Sequence, residues 1–151
     1  MDAVTHITIQ RERLPLTGAR FAEFWPLAEA HGLEVYGKPP ELDLVRYAVM
    51  EREGRIGWFV ARVDGTLVGY SNHFFYGHLH LGHRQGHEDL WYVRPEWRGR
   101  LIGKRLKSAG HAWLKQMGCK ATEAIMVGET NTRLVSLLGY RKRGVLWEKE
   151  L

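Results

Sequence analysis

Apolar and polar residues alternate over Val4-Thr5-His6-Ile7-Thr8-Ile9, the period of a half-buried strand. The period then lengthens: Phe21, Phe24, Trp25 and Ala28 fall at helical spacing across Thr17 to His31, and Gly32 is placed to close that helix. Pro26 lies inside it, which predicts a kink or two short pieces. Beyond Pro39-Pro40, Glu41 to Arg52 reads as a second helix, with Leu42, Val45 and Val49 on one face and Gly54 past its end. Strand-like runs at 57–63 and 66–72 flank Asp64-Gly65, a two-residue hairpin signal. A stretch rich in histidine and aromatics follows from His73 to His83, with His78 and His80 expected on one side of a strand. Another strand is predicted from His87 to Val93.

The clearest helical face lies next. Ile102, Leu106, Ala109, Trp113 and Met117 are spaced four, three, four and four apart, so a helix over about 102–117 buries one side, and Gly118 can cap it. A strand (Ala121 to Val127), a short helix (Asn131 to Leu138) and an extended segment (Tyr140 to Lys149) complete the pattern. The order is mixed α/β, antiparallel in its first half and strand–helix–strand in its second. No repeat or linker interrupts it, so one domain over 1–151 is expected.

Composition narrows the class only a little. Hydrophobic residues are 44% and charged residues 26% of 151, enough for a soluble core. No apolar run nears the roughly 18 residues of a membrane span. Met1 to His6 lacks a basic flank and apolar stretch, so no cleaved signal is expected. A lone cysteine, Cys119, cannot pair within the chain; core packing at the start of its strand is its predicted role, and a reducing, cytoplasmic setting follows. The tryptophans are likewise predicted to be core, with Trp91 and Trp97 nearest the segment discussed next. Lys and Arg outnumber Asp and Glu by 22 to 17, a net charge of +5, which suits a polyanionic partner or simply a solubilising surface.

Chemistry concentrates in Val93-Arg94-Pro95-Glu96-Trp97-Arg98-Gly99-Arg100-Leu101-Ile102-Gly103-Lys104. A strand-to-helix turn exposes free amides at the positive end of the helix dipole. Gly99 and Gly103 would clear the backbone for a ligand, and Arg98, Arg100, Lys104 and Arg105 add positive charge. Such a turn is a diphosphate cradle.

The string resembles the acyl-CoA pyrophosphate motif of the GNAT superfamily of N-acyltransferases: Val93, Pro95, Arg98, Gly99, Ile102, Gly103 and Leu106 fall in its register. Leu101 stands where the family usually has a glycine, a variant shared with branches common in phage genomes; its amide can still donate if it takes helical dihedrals. The resemblance implies a single GNAT-like domain, a mostly antiparallel sheet splayed between its fourth and fifth strands, flanked by helices and closed by a terminal hairpin. It also implies transfer of an acetyl group from acetyl-CoA, as co-substrate, to an amine by direct attack in a ternary complex. The backbone of Trp91, Tyr92 and Val93 would hold the pantetheine arm, and the amides of Arg98, Gly99, Arg100, Leu101, Ile102, Gly103 and Lys104 the diphosphate. Asn131, eight residues before Gly139, opens a shortened version of the family's Asn-helix-Gly-Phe segment and joins the cofactor set. The tyrosine usual before that Gly-Phe pair is absent, Val135 occupying its region.

A base must strip the acceptor's ammonium. Registration against the family falls between His87 and Asp89, so Glu88 and Asp89 are the candidates, on opposite faces of the strand, with pairing to an arginine such as Arg84 as the structural reading of either. His78, His80, His83 and His87 crowd one region with Phe74, Phe75 and Tyr76. They read as flanking an acceptor pocket or as a polar strand face, and no metal is expected. Two other functions compete: a basic nucleic-acid-binding domain, drawing on Arg141-Lys142-Arg143, and a degenerate relative that binds acyl-CoA without turnover. No membrane partner is expected, and a homodimer is left open.

Overall fold

The computed structural model describes residues 6–125 and 132–151. Five strands, β1 (Ile7–Glu12), β2 (Ile56–Val63), β3 (Thr66–Gly77), β4 (Arg84–Val93) and β5 (Cys119–Ala124), lie side by side in chain order. The first three pairings are antiparallel. β5 runs parallel to β4, which requires a crossover connection, and α3 (Ile102–Gln116) supplies it. Two helices, α1 (Gly18–Tyr36) and α2 (Leu44–Arg52), precede β2, and α4 (Thr132–Leu137) follows β5.

Each sheet face carries its own core. On one, Phe24, Leu27 and Ala28 of α1 pack on Trp58, Val60, Tyr70 and Tyr92, with Tyr47 and Met50 of α2 at the margin. On the other, Ile102, Leu106, Trp113 and Leu114 of α3 pack on Phe59, Ala61, Val68, Phe75 and Val93. β2 and β3 are therefore covered on both sides, which is why their sequences read as nearly continuous apolar runs. The Asp64-Gly65 hairpin forms as predicted, with φ of 47° and 85° at its two residues.

Several boundaries differ from expectation. β1 starts at Ile7 and runs on to Glu12, because Glu12 is held by Arg62 of β2 at 2.8 Å. α1 is one helix through Pro26 and past Gly32; Gly37, left-handed at φ 71°, ends it by donating its N–H to Leu33. α2 begins only at Leu44, where Asp43 accepts the Arg46 amide at 2.9 Å. Its inward side is the partly buried Tyr47 and Met50, while Val45 is exposed. Strand β3 ends at Gly77, so His78 and His80 lie in the turn before β4 rather than on a strand face. Phe75 is core under α3 instead of lining a pocket. Residues 140–151 carry no strand, and no terminal hairpin forms among the described residues; Trp147 is 89% exposed rather than core.

Beneath α3 the packing includes a buried histidine. His73 is fully covered, its ring seated against Gly110, and its Nε2 lies 3.1 Å from Ser71 Oγ. Burial, aided by His111 and Lys107, pulls this imidazole down to about 3. The unfolded chain takes up a proton below 6.5 that the native state refuses until about 3, so stability is full above 6.5 and falls with the pH. From His73 alone the loss between pH 7 and pH 5 is about 2 kcal/mol, and His31 and His111, both lowered by burial, add to it. Glu12, held at about 2 chiefly by Arg62, contributes only below about 4.5. Denaturant midpoints at pH 7 and 5 check this; equal midpoints would contradict it.

Candidate active site

Between β4 and α3 the chain makes a short 3-10 turn, Pro95–Trp97, then Arg98 in extended conformation, Gly99 at φ 78° and Leu101 at φ 60°, ψ 8°. Leu101 is thus left-handed, so the helical condition is not met; it takes the backbone for which glycine is the ordinary choice. No protein group among the described residues accepts the amides of Gly99, Arg100, Leu101, Ile102, Gly103 or Lys104, and the first α3 amide bonded back is Arg105 to Leu101 O at 3.0 Å. This is a run of free donors at a helix N-terminus, suited to an anion of diphosphate size.

The arginine side chains are partly committed elsewhere. Arg98 donates to Val93 O at 2.9 Å and to Glu34 of α1 at 2.6 Å, and Arg100 lies over Trp97 at 4.7 Å.

The two glycines have different reasons for being there. Nothing would meet a side chain at Gly99; its positive φ demands glycine. At Gly103, by contrast, a Cβ would stand 2.7 Å from the Trp91 indole. The residue is small because Trp91 of β4 lies on it, so a bulky Gly103 variant with an intact fold is not to be expected. Gly103→Ala should cost about 1–3 kcal/mol through overpacking and displace Trp91, read as a lower melting temperature with altered tryptophan fluorescence. A variant as stable as the parent would refute the contact.

β4 carries the remaining candidates. Asn72 pairs with Leu90 but His73 with Glu88, so Asp89 is an extra, unpaired residue: a β-bulge. At the same height the β4–β5 ladder stops, its last rung being Glu88 with Ala124. Among the described residues, Asp89 to Val93 have no partner on the β5 side, and the predicted splay falls on residues beyond Ile125 that lie outside the described ones. The bulge and the end of the ladder coincide.

Glu88 and Asp89 face opposite ways, as alternation predicted, but neither pairs with Arg84, which donates to Met117 O instead. Asp89, exposed on the α1–α2 side, accepts the Tyr47 hydroxyl and, at 3.3 Å, the Asn72 amide. Glu88 is buried on the α3 side, ion-paired to Lys107, whose side chain is fully enclosed. Burial pushes the Glu88 carboxyl up and the Lys107 ammonium down, each opposed by its partner. The second carboxylate oxygen, Oε2, has no partner. Lys107 also sits 4.1 Å from the Trp91 ring centroid and 5.9 Å from that of Tyr140. The Tyr140 hydroxyl bonds His111 Nε2 at 2.7 Å.

Sequence reasoning missed Tyr47, Asn72, Lys107, His111 and Tyr140. For Lys107 a signal existed: Gly103, Lys107, Gly110 and Leu114 repeat at four, three and four, a second stripe beside the apolar one, and it faces the sheet. Asn131 lies outside the described residues. At the β3–β4 turn His78 stands 6.2 Å from His80 and 6.0 Å from His83, ring to ring, and no trio of ligating side chains among the described residues is placed to hold a metal. No helix among them is long and apolar enough to cross a membrane.

Comparison with known proteins agrees with this geometry. The model of the acetyltransferase (GNAT) family matches residues 21–144. An aminoglycoside N(6')-acetyltransferase type 1 of Stenotrophomonas maltophilia is 25% identical over 123 residues, 73% of this chain and 69% of that protein. Among solved structures, an acetyltransferase of Trypanosoma brucei superposes with a TM-score of 0.73 at 20% identity, covering 97% of this chain and all of the other. An aminoglycoside N-acetyltransferase in complex with CoA superposes at 0.71 and 16%, covering 100% and 99%.

Proposed function

The chain belongs to the acetyltransferase (GNAT) family, enzymes that move an acetyl group from acetyl-CoA to an amine, and from that premise we propose how its own residues do so. The observation that carries the reading is the meeting, at one height of β4, of an exposed bulged carboxylate with the last described rung of the β4–β5 ladder. The amides of Gly99 to Lys104 hold the diphosphate, and the free β4 edge from Trp91 to Val93 holds the pantetheine arm, with one of its amides donating to the thioester oxygen. Asn131 belongs to the same proposed set by its place before α4. Acetyl-CoA supplies the activated acyl group.

Asp89, not Glu88, takes the acceptor's proton, directly or through water. Asp89 is exposed and fixed by Tyr47 and Asn72, whereas Glu88 is enclosed and neutralised by Lys107. On the opposite face Tyr140 returns a proton to the departing sulfur: its hydroxyl lies beside the last rungs of the β4–β5 ladder, near Glu88 and Thr122. This places the base and the acid on the two sides of the splay.

A polycationic amine fits the acceptor side. Although the chain carries +5 overall, exposed acids on this face include Asp89 and, on β5, Glu123, which Tyr76 and His87 contact at 2.8 and 3.4 Å. The aminoglycoside relative points to the same chemistry. A cytoplasmic setting, suggested by the single free thiol, completes the reading. Thiol release from acetyl-CoA across amine classes tests it: aminoglycosides and linear polyamines should turn over, and amino acids and peptides should lag by tenfold or more. Turnover of monoamines alone would overturn the acceptor class, and no turnover with any amine would overturn the enzyme reading.

A further inference from the structure

We propose that His111 is a positioning residue for acetyl transfer, holding the Tyr140 hydroxyl at the wall of the splay; this rests on the role given above to Tyr140. In the run after α4, Tyr140 is the last side chain with any cover, and residues 141–151 are all exposed. Its ring leans on His111 (centroids 5.4 Å apart), and its hydroxyl has His111 Nε2 at 2.7 Å. His111 is itself fixed: it is half-buried on α3, one turn beyond Lys107, with the His73 ring at 5.9 Å on its other side. The segment after α4 thus meets α3 through the Tyr140–His111 hydrogen bond, beside the Glu88–Lys107 pair.

With its Nε2 protonated, His111 donates to the Tyr140 oxygen and leaves the phenolic hydrogen free to face the splay. When the thioester C–S bond breaks, the sulfur keeps the electron pair and takes that hydrogen: the Tyr140 O–H bond breaks and an S–H bond forms. The His111 N–H then meets the phenolate left behind, as a preset donor to a developing anion. The acceptor nitrogen gives one proton to Asp89 and a second to solvent as the amide forms; solvent returns a proton to Tyr140, and the proton on Asp89 leaves on the other side.

Steady-state kinetics on three full-length variants test this. His111→Phe keeps a ring and loses the donor; kcat should fall about tenfold or more with KM for acetyl-CoA within about twofold of the parent. His111→Gln places an amide N–H where Nε2 stood, and should recover most of that loss. Melting temperature and its rise with acetyl-CoA confirm that each variant is folded and binds. An unchanged kcat in His111→Phe, or a His111→Gln as slow as His111→Phe, would overturn the positioning role. Parental kcat in Tyr140→Phe would instead overturn the role of Tyr140, whereas a slow Tyr140→Phe with a parental His111→Phe would remove His111 alone.

Discussion

Lys107→Met is expected to destabilise the protein by about 3–5 kcal/mol, a large share of the ~5–15 kcal/mol that holds a domain of this size. The reason is desolvation. The Lys107 side chain is 0% exposed and that of Glu88 5%, so removing the ammonium strands a carboxylate in the α3 core. Glu88 already has one oxygen without a partner, and burial already favours its neutral form. The double variant Glu88→Gln, Lys107→Met removes both charges and should regain most of the loss, since a buried ion pair adds little net stability over neutral packing. Urea unfolding of the three proteins decides it. A single variant within 1 kcal/mol of the parent, or a double variant no better than the single, would refute this account.

Asp89→Asn is expected to act the opposite way, on rate and hardly on stability. The side chain is exposed, and an asparagine Oδ1 can still accept the Tyr47 hydroxyl. What disappears is the proton acceptor, and removing a general base typically costs 10²–10⁴ in rate. We therefore expect kcat/KM to fall at least ~10²-fold, with an unchanged melting temperature and an unchanged thermal shift with acetyl-CoA. A drop under threefold would move the base elsewhere. Tyr47→Phe, which leaves the carboxylate but frees it to turn, should fall between.

Most of the fold was legible because local signals agreed with one another. The 3.6-residue spacing over Ile102 to Met117 and the Asp64-Gly65 hairpin each fix an element without outside help. The errors arose where a distant contact overrides a local preference. Pro26 did not break α1, which continues to Tyr36 packed along the sheet. Leu101 by residue type favours right-handed backbone, while the turn imposes the left-handed one. Gly103 in the motif suggests room for a ligand, whereas Trp91, twelve residues upstream, occupies the space. The site was half legible: the cradle is contiguous in sequence, and Glu88 and Asp89 could be nominated but not told apart. Choosing between them requires Lys107 and Tyr47, nineteen or more residues from their partners and joined to them only by folding.

The single unpaired residue in β4 has a consequence for which changes the protein can tolerate. Upstream of Asp89, odd-numbered side chains such as His87 point toward α1 and α2; downstream, Leu90 and Tyr92 do, and Trp91 and Val93 turn to α3. The strand thus carries a phase slip. Deleting that one codon would give β4 and β3 a regular ladder with every rung kept and every outer side chain on its present side. The sheet would lose nothing but the slip, and the carboxylate would go with it. On the role proposed for Asp89, length at this point of the chain is held by the chemistry rather than by the fold, and a one-residue deletion here should yield a well-folded protein that has stopped working.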